Sequence, residues 1–151
     1  MPSPGIEFKP ETISIALFNL LLTANFTFQS SDRRGQIWSG VTPGQQPYLG
    51  LIEKGATGVQ NSALGLEKWT LHYLCLVYLR ADANPEAIPA TQINAALQAI
   101  AEAINSVPLG EKQTLGGLVL NTFINGEVFI DTGILDQQCA ILVPIDVECG
   151  L

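Results

Sequence analysis

Few residues of this chain are able to do chemistry. It has one histidine and three cysteines among 151 residues. His72 stands in a run that alternates like a strand, so Cys75, three residues on, faces the other side and the two make a poor metal pair. Cys139 and Cys149 share a strand parity, but ten residues of regular strand hold them about 33 Å apart. An odd cysteine count without C-x-x-C spacing, set in apolar runs, reads as buried thiols kept reduced in a cytoplasm. The carboxylates form no D-x-D or E-x-x-H set. Asp146 and Glu148 sit two apart on one face of a terminal strand, which reads as a solvated edge whose like charges discourage wrong pairing. No G-x-S-x-G elbow, P-loop or G-x-G-x-x-G follows a strand, and Gly116-Gly117 reads as a strand entry. The expectation is therefore a protein without catalytic residues, metal or cofactor, in which His72 is a satisfied structural histidine.

The elements that position these residues follow from periodicity. Residues 1–9, with Pro2, Pro4 and Gly5, form an N-terminal arm. A helix begins at Pro10-Glu11-Thr12, where proline suits the first turn and Glu11 the positive helix end, and it runs to Ala24. Ile13, Leu17, Leu20, Leu21 and Ala24 share one face, and Ile15, Phe18 and Leu22 widen it sideways, so this helix needs cover on more than one side. Residues 26–47 read as a long surface loop carrying Arg33, Arg34 and Trp38. Pro47 to Glu53 is a first strand stopped by Lys54-Gly55, followed by a second loop from Ala56 to Gly65. The clearest strand runs from Glu67 to Arg80. A helix over Ala90 to Ser106 has one apolar stripe, Ile93, Ala96, Leu97, Ile100 and Ile104, and lies across a sheet. Leu118–Ile124 and Glu127–Asp131 flank Asn125-Gly126, the signal of a hairpin. The last strand, Cys139 to Cys149, has Pro144 in its middle, which belongs at an edge or a bulge. The order predicts one α+β domain over 1–151: an antiparallel sheet of about four strands with two helices packed mainly on one face.

Composition narrows the function. The chain is 47% hydrophobic and only 14% charged, against about 25% charged in an average globular domain. Its net charge of -7 and single basic pair, Arg33-Arg34, argue against a groove that neutralises many phosphates. The uncharged stretch from Thr12 to Ser31 has an apolar part of about ten residues, half of the roughly 20 that a membrane span needs. Glu7, Lys9 and Glu11 ahead of it do not make the positive flank of a secretory signal.

One resemblance runs along nearly the whole chain. It is carried by Trp69-Thr70-Leu71-His72-Tyr73-Leu74-Cys75-Leu76-Val77-Tyr78-Leu79-Arg80, Ile93-Asn94-Ala95-Ala96-Leu97-Gln98-Ala99-Ile100, Thr114-Leu115-Gly116-Gly117-Leu118-Val119, Ile124-Asn125-Gly126-Glu127-Val128, Asp131-Thr132-Gly133, and Gln138 through Val147. The apolar first helix, the arginine pair before Trp38, and Gln46-Pro47 ahead of the first strand join it. Together these segments resemble the tail-terminator family of tailed bacteriophages.

The resemblance implies a small α+β subunit of a ring, usually six-fold, on the head-proximal end of the tail tube. Such a ring stops tube polymerisation and offers a joining surface to the neck or head-completion protein, so the implied partners are further copies of the chain, the tube protein and the neck protein. It implies a virion component assembled in the host bacterial cytoplasm, without enzymatic activity. Ring contacts would explain the low charge, since interface cores are depleted in charged residues. Six copies at -7 each carry -42, an acidic lumen through which DNA would slide without specific binding. The candidate contact residues are Arg33, Arg34, Trp38, Phe18, Leu22, Asp146 and Glu148, with the loops Thr27–Gln46 and Ala56–Gly65 facing neighbours or tube. Three other readings stand beside this one. A neck or head-completion connector differs from a terminator in its partner. A small hydrolase built on His72 requires a pocket with a nucleophile beside that histidine. A monomeric ligand-binding module would use Trp38 and Trp69 as pocket walls.

Overall fold

A computed structural model describes residues 8–34, 41–61, 66–80, 89–132 and 138–150. Among the described residues the chain is α+β, with two helices and a six-stranded, mostly antiparallel sheet in place of the about four strands expected. Helix α1 spans Pro10–Leu22, with proline in its first turn and Glu11 beside the positive end. It stops two residues before the expected Ala24, where the Thr23 hydroxyl and backbone N–H both donate to the Leu20 carbonyl and the Ala24 N–H donates to that of Leu21. Ile13, Leu17 and Leu21 are fully buried, each contributing roughly 1.5–3 kcal/mol of apolar burial. Phe18 is half-buried against the same core, whereas Ile15 and Leu22 are 44% and 41% exposed on the flanks of the stripe.

Strand β1 (Ser30–Asp32) lies within the segment expected as loop and pairs in parallel with the start of β2 (Tyr48–Asn61). A single turn of 3-10 helix, Pro43–Gln45, precedes β2. β2 does not stop at Lys54-Gly55. It shifts register between Glu53 and Gly55 and continues against β3 (Leu66–Arg80) as far as the Asn61–Leu66 pair, so most of the expected loop from 56 to 65 is strand. Residues 55–60 are exposed throughout, and without a buried face their sequence shows no alternation to read.

Helix α2 (Pro89–Ile104) follows, with Ile93, Ala96, Ile100 and Ile104 buried. β4 (Asn121–Ile124) and β5 (Phe129–Asp131) do not pair with each other as a hairpin. Both pair antiparallel with β6 (Gln138–Cys149), β4 against 145–148 and β5 against 140–142, as two pieces of one interrupted edge strand. The interruption faces Pro144. The Pro144 carbonyl accepts from the Asn125 N–H on that side, so the absent proline N–H also points to the gap and costs no ladder bond. Gly126, at φ +119°, crosses there, and a Cβ on it would come 3.3 Å from Pro144 Cγ.

The sheet order is β1-β2-β3-β6 followed by β4 and β5, so β6 is an interior strand and not the edge expected. Odd-numbered side chains of β3 and β6 (Leu71, Tyr73, Cys75, Val77, Leu79; Cys139, Ile141, Val143, Ile145, Val147, Cys149) join Leu49, Leu51 and the apolar stripes of both helices in the main core. The even-numbered face carries a smaller cluster, Tyr48, Leu76, Tyr78 and Ala140 under Val41, with Ile52, Leu74 and Leu142 half-buried around it. Among the described residues no helix is long and apolar enough to cross a membrane.

Candidate functional site

Adjacent residues of β3 send their side chains to opposite faces of the sheet, and each anchors a polar cluster. On the helix face, Tyr73 is buried and its hydroxyl lies 2.8 Å from that of Ser14, a residue 1% exposed on the inward side of α1. Ser14 has one proton and gives it to Glu53, so Tyr73 donates to Ser14. Arg33 closes the cluster, 2.6 Å from Glu11 and 3.8 Å from Glu53. The hydrogen bond and charge of Arg33 lower the Glu11 pKa, and the same bond raises that of Arg33. Burial pushes the Tyr73 phenol up to about 12. The cluster therefore holds its tyrosine neutral, and it ties α1, β2, β3 and the turn after β1 together across a hollow of about 330 Å³ that Arg34 also lines.

On the opposite face, β2, β3 and β6 place a hydroxyl, an imidazole and a carboxylate in line. Thr57 Oγ1 is 2.8 Å from His72 Nε2, and His72 Nδ1 is 2.8 Å from Asp146 Oδ1. Asn125 Nδ2, from the gap between β4 and β5, donates to Asp146 Oδ2 at 2.7 Å. Pairing builds the line: His72 is directly opposite Asp146 across β3 and β6, and Thr57 is opposite Thr70, its diagonal neighbour. A hollow of about 410 Å³ opens beside it, lined by Lys54, His72, Tyr73, Asn125, Pro144 and Asp146. His72 is thus partnered on both ring nitrogens; in a neutral ring the carboxylate takes Nδ1–H, which leaves Nε2 to accept from threonine.

The expected contact residues do not converge. Arg33 is engaged within the chain, while Arg34 is exposed, with its backbone N–H on Asp32 Oδ1. Trp38 lies outside the described residues. Asp146 is 9% exposed and bound by His72 and Asn125, so it is not a solvated edge charge; Glu148, also on β6, is 3.9 Å from Lys68. Phe18 packs on the core and Leu22 stays exposed. Thr57, Glu53, Ser14 and Asn125 escape the sequence reading, because only strand register sets Thr57 beside His72 and Glu53 beside Tyr73, and only tertiary packing brings Ser14 of α1 to Tyr73 and Asn125 to Asp146.

Burial raises all three thiols, Cys75 to about 12, and they are free and buried. Among the described residues no three His, Cys, Asp or Glu gather to hold a metal ion. Compared with known proteins, the chain matches no family model and no curated relative.

Proposed function

We propose that the protein is a tail-terminator-like ring subunit of a tailed phage, capping the head-proximal end of the tail tube and offering the joining surface to the neck. The observation that supports this most directly is the pair of open sheet edges. Beyond its first three residues, β2 has no strand on its outer side among the described residues, and β4 and β5 have only β6. β2 and the β4–β5 edge run in opposite directions. A second copy rotated about an axis along the strands would therefore lay its β4–β5 edge antiparallel on β2 of the first. Such a contact is heterologous, with different surfaces on the two sides, and it closes into a ring when the rotation divides a full turn. Exposed long edges otherwise invite aggregation, so a partner strand is the physical resolution for an edge of this length.

Exposed apolar side chains accompany both edges: Val59 at 60% on β2, and Phe129 and Ile130 at 56% and 40% on β5. With the helices turned outward, the even-numbered face would line the lumen. A ring of six copies at -7 each carries -42, which repels DNA phosphates and lets the duplex pass. Leu22 and Ile15 on α1, and the arm formed by the far ends of β2 and β3, are the surfaces offered to neighbour or tube.

The test is negative-stain microscopy of the purified protein with and without tail tubes, alongside the double variant Val59→Lys, Phe129→Lys. Rings that cap tube ends in the wild type and vanish in the variant are the expected result. A persistent monomer indifferent to tubes refutes the reading, and rings that form but ignore tubes refute the terminator role and leave the connector.

A further inference from the structure

The alignment of Thr57, His72 and Asp146 has a chemical consequence that ring assembly does not use. A neutral imidazole accepting a hydroxyl proton at Nε2, while its Nδ1–H is held by a carboxylate, is the arrangement by which a weak oxygen nucleophile is activated. All three distances along the line lie between 2.7 and 2.8 Å, including the bond from Asn125 that holds the second carboxylate oxygen. Asp146 is 9% exposed, so its orientation is fixed by the fold, whereas Thr57 is exposed and can be reached. His72 and Asp146 also line a hollow of about 410 Å³, within the range of small-molecule sites, where Lys54 supplies the one positive charge among the lining residues; Thr57 is reached from solvent, outside that lining.

We propose that Thr57 is an acyl-accepting nucleophile and that this face of the sheet is an acyl-transfer site for small carboxylic esters. Thr57 Oγ1 attacks the ester carbonyl carbon and its proton passes to His72 Nε2. The bond from the carbonyl carbon to the alcohol oxygen breaks, and that oxygen leaves with the proton from Nε2. The products are the free alcohol and an acyl ester on Thr57. Water, giving a proton to Nε2, then attacks the acyl carbon; Thr57 Oγ1 recovers the proton, releasing the carboxylic acid. Lys54 favours the negative charge that develops on the carbonyl oxygen. Asp146 acts through His72 as a positioning residue, keeping Nε2 free to accept.

The experiment treats the full-length protein with 4-nitrophenyl acetate, follows nitrophenol release, and locates any acetyl group by mass spectrometry of peptides after an acid quench. Thr57→Val keeps a β-branched residue in an exposed strand and so leaves the fold in place. The expected result is one acetyl group on Thr57, absent from Thr57→Val, with nitrophenol release falling about 100-fold or more in His72→Gln, the contribution of a positioned general base. The rising limb of the pH–rate profile should disappear in His72→Gln and shift in Asp146→Asn. Acetyl groups confined to lysines, or release by Thr57→Val equal to wild type, overturn the proposal and leave the line a structural bond chain.

Discussion

Ser14 should behave as a buried hinge pin, and its removal is measurable. It is 1% exposed, takes a proton from the Tyr73 hydroxyl and gives its own to Glu53. Ser14→Ala leaves Tyr73, itself 2% exposed, with a buried hydroxyl and no acceptor. Such an orphaned group costs about 1–3 kcal/mol, and the better helix propensity of alanine returns about 0.5 kcal/mol. A net loss of about 1–2 kcal/mol is expected in urea unfolding, with an unchanged slope. Tyr73→Phe removes the other member and leaves Ser14 its bond to Glu53, so it should cost less. In the double variant Ser14→Ala, Tyr73→Phe no orphan remains, and its loss should fall short of the sum of the single losses by about 1 kcal/mol. Strictly additive losses, or a Ser14→Ala variant as stable as wild type, would refute the claim that this hydroxyl joins α1 to the sheet.

The same tyrosine predicts a pH dependence. Its folded pKa is raised from the ordinary value of 10.0 to about 12, so the stabilisation is complete below about pH 10 and is lost as pH rises through the folded value. Urea midpoints between pH 9 and 12 should therefore fall more steeply for wild type than for Tyr73→Phe. Cys75, pushed up to about 12 by complete burial, should resist a disulfide-exchange reagent at pH 8 in the native protein and react at once in urea; fast native labelling at this position would contradict the packing. Gly58 lies under Trp69, where a Cβ would stand 2.9 Å from the indole, and the indole stacks on Phe8 at 5.0 Å. Gly58→Ala should displace the ring and change Trp69 fluorescence in a Trp38→Phe background, which an unaltered spectrum would disprove.

Legibility in the sequence tracked burial. β3 and β6 could be read almost to the residue because one face of each is packed and the alternation is imposed by the core. The apolar stripes of both helices were legible for the same reason. The far half of β2 was not: Gly55 through Gln60 are exposed, and the chain there is held in place by the backbone bonds to β3, to which side-chain type is indifferent. Asn125-Gly126 departs from the expected hairpin for a different reason. The pair does supply a turn residue with positive φ, but the turn steps around Pro144 and returns to the same edge instead of reversing onto β4. Without the proline opposite, the local signal would favour a hairpin; tertiary pairing overrides it. Of the two polar clusters, the sequence shows the individual residues and the parity of His72 with Asp146, but not the partners on β2, because a register offset decides them.

That offset is the single extra residue at Lys54. Pairs up to Glu53–Tyr73 follow one register, and from Gly55–His72 onward β2 runs one residue ahead. With no offset, Lys54 would face His72 and Thr57 would face Trp69, on the helix side of the sheet. Thr57 would then be lost to His72, and a threonine in place of a glycine would meet the indole. The bulge instead turns Thr57 to the open face and Gly58 to Trp69. It also leaves Glu53 on the helix side, where Ser14 and Arg33 hold it. One residue of extra chain thus lets the same strand give Glu53 to the cluster on the helix face and Thr57 to the cluster on the open face.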